Sequence, residues 1–152
     1  MQYKTVGRTG IQVSELCMGT MTFGDSADFD ESTAMYNRCR DAGINFFDCA
    51  DVYVGGRSEE ILGQLIADHR HDVVITSKCY FSADSQKRGG SRRNIMQSIE
   101  GSLKRLNTDY IDFYFLHDID PLTPIETTLR AFDDLVRPVS YTHLTLPTIL
   151  LV

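Results

Sequence analysis

The sequence lacks a long apolar run, which excludes a membrane-spanning helix because such a helix needs about 20 predominantly apolar residues. Its first ten residues, MQYKTVGRTG, also lack the apolar segment of a secretory signal, so we expect a cytoplasmic protein without membrane contact. Positive charge is scarce as well, since 15 lysines and arginines are outnumbered by 21 acidic residues. The net charge of −6 gives no footprint for nucleic acid, which is therefore not an expected partner.

Cysteine pairs and glycine-rich phosphate loops are also missing. The four cysteines, at positions 17, 39, 49 and 79, form no C-x-x-C pair and have no close histidine partner. Neither a zinc site nor a disulfide framework is indicated, and we interpret all four as reduced thiols. The stretch MGTMTFGDSADFD contains neither G-x-G-x-x-G nor G-x-x-x-x-G-K, which weighs against a doubly wound nucleotide-binding fold.

The pattern that is present alternates strands with helices. With 152 residues, of which 42% are hydrophobic and 24% charged, the chain fits one globular domain or part of one. A short hairpin around the turn GRTG opens the chain. Four βα units follow, with strands predicted at residues 16–20, 45–48, 73–78 and 110–117. The helices are predicted at residues 30–42, after a cap at Ser58, after a cap at Ser91, and from Thr123 and Pro124 with Ile125, Leu129, Phe132 and Val136 along one face.

Such alternation predicts a parallel sheet. Each unit takes about 30 to 40 residues, close to the roughly 30 expected when about 250 residues make eight units. Two architectures remain open at this point: a compact doubly wound sheet, or a (β/α)8 TIM barrel truncated to an N-terminal hairpin plus about four βα units.

Polar side chains stand at the ends of three successive strands. Asp48, Lys78 and His117 occupy these ends, and Tyr53 lies in the loop after the second strand. Each alone has an ordinary structural explanation, such as a solvated lysine or a half-buried tyrosine. Functional groups of parallel α/β folds nevertheless gather at the carboxyl ends of strands. An ammonium beside a phenol favours the phenolate, so together the groups suggest a general acid for a carbonyl oxygen.

Several segments carry a family resemblance. TVGRTGIQVSELCMGTMTFG, GINFFDCADVYVGGRSEEILG, VVITSK, GGSRRNIMQSIEGSLKRLNTDYIDFYFLH and TPIETTLRAFDDLV resemble, in order, the N-terminal half of an aldo-keto reductase. The resemblance covers residues 1–137. It implies a (β/α)8 barrel that binds NADP(H) in an extended groove without a Rossmann fingerprint, and a small-molecule carbonyl substrate.

The resemblance also assigns site residues. The family's catalytic tetrad matches Asp48, Tyr53, Lys78 and His117. The end of the first strand, where the family's backbone lies against the cofactor, matches Gly19, Thr20 and Met21. By resemblance, Tyr53 donates the proton, Lys78 tunes Tyr53, and Asp48 secures Lys78 and reaches the nicotinamide ribose. His117 then orients the carbonyl.

The chain departs from the family pattern in two places and supplies only part of a barrel. Cys49 stands where a threonine is usual, and Val54 stands where a glycine is common. We expect Cys49 and Cys79 to be core thiols that face the helices, because successive strand residues face opposite sides. Closure needs eight strands, so we expect this fragment alone to be inactive. The alternatives are a non-catalytic cofactor-binding or regulatory subunit of the same fold and an inactive fragment; the pattern selects no oligomeric state.

The last fifteen residues, 138–152, differ in composition from the rest. PVSYTHLTLPTILLV contains no Asp, Glu, Lys or Arg, and a proline stands where the family pattern requires a glycine helix cap. A native alternative is an edge strand at residues 139–146, broken by Pro147. The string VSYTHLTLPT resembles the translation of a synthetic transposon-end adapter, so we interpret residues 138–152 as a non-native tail.

Deleting residues 138–152 should therefore leave the stability of the chain unchanged or improve it. The measurement is thermal denaturation of residues 1–137 beside the 152-residue chain. A clear loss of stability on deletion would contradict the interpretation. Recovery of the same tail from an independently cloned copy of the gene would contradict it as well.

Overall fold

The computed structural model describes residues 1–82, 84 and 87–136, in which a hairpin precedes four βα units as predicted. The tail and its alternative edge strand at residues 139–146 lie outside these residues. The six strands are β1 Tyr3–Thr5, β2 Gln12–Ser14, β3 Met18–Gly19, β4 Phe46–Asp48, β5 Val74–Cys79 and β6 Phe113–Leu116. The four helices are α1 Phe29–Asp41, α2 Arg57–Leu65, α3 Arg92–Leu106 and α4 Ile125–Val136.

Strands β3 to β6 form one parallel sheet in the order of the sequence, while β1 and β2 pair antiparallel. Each helix packs against the next, α1 on α2, α2 on α3 and α3 on α4, so the helices form a single layer. A doubly wound sheet would reverse its strand order and carry helices on both faces. Sequential order under one helical layer is the arrangement that the first half of a barrel requires.

The two faces of this sheet carry different clusters because strand side chains alternate with a period of two. Phe47, Ile75 and Tyr114 face the helices and join the main core. Burying a side chain of the size of Phe47 or Ile75 contributes about 1.5–3 kcal/mol. On the opposite face, Val74 and Phe113 pack under the hairpin.

The two strand cysteines follow the same alternation. Cys49 and Cys79 are fully buried in the core between sheet and helices, which confirms the predicted helix-facing position. Burial raises the pKa of the Cys49 thiol to about 11 and that of Cys79 to about 12. Both thiols are therefore neutral packing groups near neutral pH. All four cysteines, which lie among the described residues, are free of disulfides.

Local capping chemistry sets the starts of α1 and α3. Asp28 accepts a hydrogen bond from the backbone N–H of Glu31 at 2.9 Å, and Glu31 accepts one from the N–H of Asp28 at 3.3 Å. This capping box satisfies two otherwise unpaired donors. Ser91 caps α3 as predicted, since its Oγ accepts from the N–H of Asn94 at 3.3 Å. Both helices therefore start where short-range sequence signals place them.

The predicted cap at Ser58 is wrong. Helix α2 begins at Arg57, and Gly56 is the N-cap residue in a left-handed conformation with φ of 96°. Ser58 lies in the first helical turn with its hydroxyl buried, and that hydroxyl donates to the carbonyl oxygen of Thr20 at 2.7 Å. The Ser58 hydroxyl is used in this long-range hydrogen bond at the end of β3, so it does not cap the helix.

The predicted apolar face of α4 is also partly wrong. Ile125 is 43% exposed and Val136 is 37% exposed. The buried side chains of this helix are Thr128, Ala131, Phe132 and Leu135. Thr128 donates to the carbonyl oxygen of Gly90 at 2.8 Å, and this bond sets the rotation of the helix.

Other element bounds differ slightly. The outer strands β3 and β6 are shorter than the predicted 16–20 and 110–117, because each has a pairing partner on one side within the described residues. No helix within residues 1–82, 84 and 87–136 has both the length and the apolar character of a membrane span.

Close packing of α2 on α3 generates a testable prediction. A Cβ at Gly63 would lie 2.6 Å from the backbone of Leu106, whereas a Cβ at Gly101 would meet only the flexible end of Arg105, at 3.0 Å. Gly63→Ala should lower the free energy of unfolding by about 1–3 kcal/mol through overpacking. Gly101→Ala should be neutral or gain up to about 1 kcal/mol of helix propensity. Urea denaturation compares them, and equal stability of the two variants would refute this packing argument.

Candidate active site

The ammonium of Lys78 lies at the centre of the candidate site. β5 presents Lys78 on the sheet face opposite the helices, and the side chain is 15% exposed. Nζ donates to Asp48 Oδ2 at 2.7 Å, to the carbonyl oxygen of Cys49 at 2.8 Å and to Tyr53 Oη at 3.1 Å. A lysine ammonium has three donors, and all three are used. The charge is thereby fixed in position.

The same contacts keep Lys78 charged. Burial alone would lower the pKa of Lys78, but its hydrogen bonds to Asp48 and Tyr53 outweigh burial and raise the pKa above its usual value. Lys78 is therefore an ammonium at neutral pH, next to the phenol oxygen.

Both carboxylate oxygens of Asp48 accept hydrogen bonds. Lys78 binds Oδ2, and the hydroxyl of Thr76 donates to Oδ1. The backbone oxygen of Asp48 accepts from the N–H of Thr20 at 2.9 Å and from its hydroxyl at 3.0 Å. The sequence analysis missed Thr76. The period of two could have indicated it, because Thr76 lies two residues before Lys78 on the same strand face.

A tight turn places Tyr53 beside Lys78. The 3₁₀ turn Tyr53–Gly56 follows β4, and Val54 within it has a φ of 50°. Left-handed backbone is unfavourable for a β-branched residue, which explains why a glycine suits this position better. Lys78 donates to Tyr53 Oη and occupies a lone pair of that oxygen, so the phenol O–H is free to donate elsewhere.

His117 completes the group. Its backbone N–H donates to the carbonyl oxygen of Cys79 at 2.8 Å, and its ring packs edge-on against Tyr53 with centroids 5.9 Å apart. Phe81, which the sequence analysis also missed, packs on the imidazole at 5.2 Å. Burial, followed by the charge of Lys78, lowers the pKa of His117, so the ring is neutral at neutral pH. Its Nδ1 is buried without a hydrogen-bond partner among the described residues.

Gly19, which ends β3, and the two residues that follow it differ in how exposed they are to a ligand. Gly19 pairs with Asp48 in the sheet, and a Cβ there would meet nothing within 4 Å, so open space borders its backbone. Met21 is 63% exposed. Thr20 is fully buried, and its hydroxyl hydrogen-bonds the backbone oxygen of Asp48 and the hydroxyl of Ser58. The structure thus brings Asp48, Tyr53, Lys78 and His117 together beside Gly19, while the side chain of Thr20 points into the protein.

No cluster of three or more histidine, cysteine, aspartate or glutamate side chains suited to a metal ion occurs in the described part of the chain. The chemistry that the arrangement itself offers is proton transfer and polarisation of a carbonyl. A phenol can donate a proton, an ammonium can stabilise negative charge, and a neutral imidazole can donate a hydrogen bond.

Comparisons with known proteins identify the family and the fold. The sequence model of the aldo/keto reductase family matches residues 15–138. A rice protein (Oryza sativa subsp. japonica), "Probable voltage-gated potassium channel subunit beta", is 46% identical over 138 residues, covering 88% of this chain and 42% of the relative. "Uncharacterized oxidoreductase YrpG" of Bacillus subtilis (strain 168) is 41% identical over 152 residues, covering 90% and 46%. The solved "aldo-keto reductase AKR11C1 from Bacillus halodurans (holo form)" has a TM-score of 0.80 at 31% identity, covering 90% and 46%.

The chain belongs to the aldo/keto reductase family, and its sheet and four helices are the first half of that family's (β/α)8 barrel. The predicted truncated barrel is confirmed, and the doubly wound alternative is excluded. The chain spans less than half the length of these two curated relatives, 42% of one and 46% of the other.

The environment of His117 predicts its titration. In NMR spectra of the imidazole, the midpoint should lie below the ordinary value of about 6.5. Lys78→Met should raise the midpoint because it removes a neighbouring positive charge, while Lys104→Met, at an exposed site, should not. Since the unfolded chain binds this proton more readily, the contribution of His117 to stability is lost as pH falls below about 6.5. A midpoint above 6.5, or one insensitive to Lys78→Met, would contradict the assignment.

Proposed function

We propose that the whole protein, meaning this chain continued by the second half of a barrel, is an NADP(H)-dependent reductase of small aldehydes or ketones. The observation that carries this proposal is the 3.1 Å hydrogen bond from Lys78 Nζ to Tyr53 Oη, made while Asp48 and Cys49 take the other two lysine donors. A phenol with a fixed cation on its oxygen and a free O–H is a general acid.

Tyr53 transfers its proton to the carbonyl oxygen of the substrate as the oxygen gains negative charge. The phenolate that results lies against the Lys78 ammonium, which stabilises it without rearranging, because Asp48 and Cys49 already hold that ammonium. His117, neutral and packed on the Tyr53 ring, donates a hydrogen bond to the carbonyl oxygen and orients it. The product is an alcohol.

The residues present fit a nicotinamide cofactor. Bound NADP(H) would supply the hydride that the carbonyl carbon accepts. Gly19 would border the cofactor with open space beside its backbone, and Met21 would contact it from its exposed position. Asp48 is 32% exposed and keeps lone pairs for a ribose hydroxyl, although both its oxygens already accept hydrogen bonds. The holo state named for the Bacillus halodurans structure supports cofactor binding by this fold.

A second candidate is a cofactor-binding regulatory subunit. The rice relative, named as a probable potassium channel subunit beta, favours it, as does a relative of the same name in Arabidopsis thaliana at 44% identity. The intact group around Lys78 favours the reductase. We expect the 152-residue chain by itself to be inactive in either case, because it spans less than half the length of these relatives.

Tyr53→Phe in the whole protein should lower turnover by a factor of about 100 to 10,000, because it removes the proton donor and leaves the ring packing. Cofactor affinity should be largely kept. The measurement is NADPH oxidation with and without added aldehyde. Tyr110→Phe, a distant tyrosine bonded to His71, is the matched control and should retain activity.

Near-normal reduction by the Tyr53→Phe variant would reject the role of Tyr53. If the unsubstituted whole protein binds NADPH but shows no oxidation that depends on aldehyde, the reductase proposal fails and the regulatory subunit is supported. Lys78→Met should also abolish turnover while the protein stays folded; an unfolded Lys78→Met variant would indicate a structural role instead.

A further inference from the structure

Asp51 lies between the Lys78 strand and the turn that contains Tyr53, and it has no role in the proton transfer described above. Its backbone N–H donates to the carbonyl oxygen of Lys78 at 3.1 Å. Two residues on, the N–H of Tyr53 donates to the carbonyl oxygen of Ala50 at 3.1 Å, so Asp51 lies inside this turn. A shift of Asp51 therefore moves the start of the turn that delivers Tyr53.

The carboxyl of Asp51 belongs to a polar cluster between the sheet and the helices. Glu59 of α2, Cys79 of β5, Tyr114 of β6 and Arg105 of α3 are its electrostatic neighbours, and Ser98 of α3 lines the same cleft. Its Oδ1 is buried without a hydrogen-bond partner among the described residues, and so is the hydroxyl of Tyr114. A buried oxygen without a hydrogen-bond partner costs more free energy in a charged carboxylate than in a neutral carboxyl.

The charges of this cluster do not balance when Asp51 is ionised. Arg105 is the cation that the cluster contains, and its Nε already binds Glu59 Oε2 at 2.7 Å. Ser77 donates to the other oxygen of Glu59 at 2.5 Å, and Glu59 is fully buried. An ionised Asp51 adds a second negative charge with no cation of its own. Burial and then the charge of Glu59 raise the pKa of Asp51 to about 6.

A cleft beside Asp51 has room for the ionised carboxylate. The cleft has a volume of about 530 Å³, and its walls include Asp51, Ser98, Gly55 and Arg105. Lys87 lines the same cleft and is paired with Asp84 at 3.4 Å. Movement of the carboxylate from the cluster into this cleft would displace the Asp51 end of the Tyr53 turn.

The geometry points to Asp51 as a positioning residue: its neutral carboxyl holds the Tyr53 turn against α3, and its ionisation loosens that turn, so the placement of Tyr53 responds to pH. The catalytic consequence rests on the proposed reductase function, but the movement of Tyr53 does not.

NMR of the full chain tests the movement without any activity. The Asp51 carboxyl carbon should titrate with a midpoint of about 6, and the ring resonances of Tyr53 should shift in the same step. In Asp51→Asn, which cannot ionise, the Tyr53 step at the Asp51 midpoint should vanish and leave only the shift that follows the titration of His117, whose ring packs on Tyr53. Asp51→Glu should restore a step, and Glu59→Gln should lower the Asp51 midpoint by removing a neighbouring negative charge. Asp109→Asn, an exposed control, should behave as the unsubstituted chain.

A second Tyr53 step, separate from the one that follows the His117 imidazole, that persists in Asp51→Asn would overturn the proposal, as would an Asp51 midpoint near the ordinary value of about 4. In the whole protein, kcat/KM should fall as pH rises through the Asp51 midpoint, and Asp51→Asn should flatten that part of the profile. Loss of thermal stability in Asp51→Asn with an unchanged pH profile would show a merely structural role. Absence of turnover would count against the reductase function alone, because the NMR readout does not need it.

Discussion

The three hydrogen bonds of the Lys78 ammonium are the constraint on which the rest of the site depends. They join the end of β4, the end of β5 and the turn after β4 at one charged atom, because Asp48, Cys49 and Tyr53 each supply one acceptor. A half-buried ammonium with any donor unmet would be unfavourable, so the three acceptors must be present together. The parallel register of β4 and β5, in which Asp48 pairs with Thr76, places them within reach.

A second set of bonds holds β3 in place beside this centre. The hydroxyl of Ser58 donates to the carbonyl oxygen of Thr20, and Thr20 in turn donates twice to the backbone oxygen of Asp48. These hydrogen bonds connect the first turn of α2 to the end of β3, next to Gly19. Buried and satisfied networks of this kind fix a single arrangement, because breaking any one bond leaves a buried polar group without a partner. These hydrogen bonds hold the backbone next to Gly19 against the first turn of α2.

The sheet separates its chemistry by face. The face opposite the helices carries Lys78 and Asp48, whereas the helix-facing side carries the core and the Asp51–Glu59–Arg105 cluster. The two sides meet at the turn Tyr53–Gly56, whose backbone is bonded to the Lys78 strand through Asp51. This turn is therefore a second connection between the helical layer and the candidate site, beside the Ser58–Thr20–Asp48 hydrogen bonds.

Short-range patterns in the sequence were enough to predict the elements with strong local signals and the family of the chain. The capping residue Ser91, the period of two around Lys78 and the hairpin turn are short-range patterns, and they were predicted. Other features depend on partners that are distant in the sequence, and these were not predicted. The hydroxyl of Ser58 hydrogen-bonds Thr20 instead of capping α2. The hydrogen bond from Thr128 to Gly90 fixes the rotation of α4. The hydroxyl of Thr76 hydrogen-bonds Asp48 on the neighbouring strand. A local pattern records which groups can hydrogen-bond, but packing decides which acceptor comes within 3 Å of each donor.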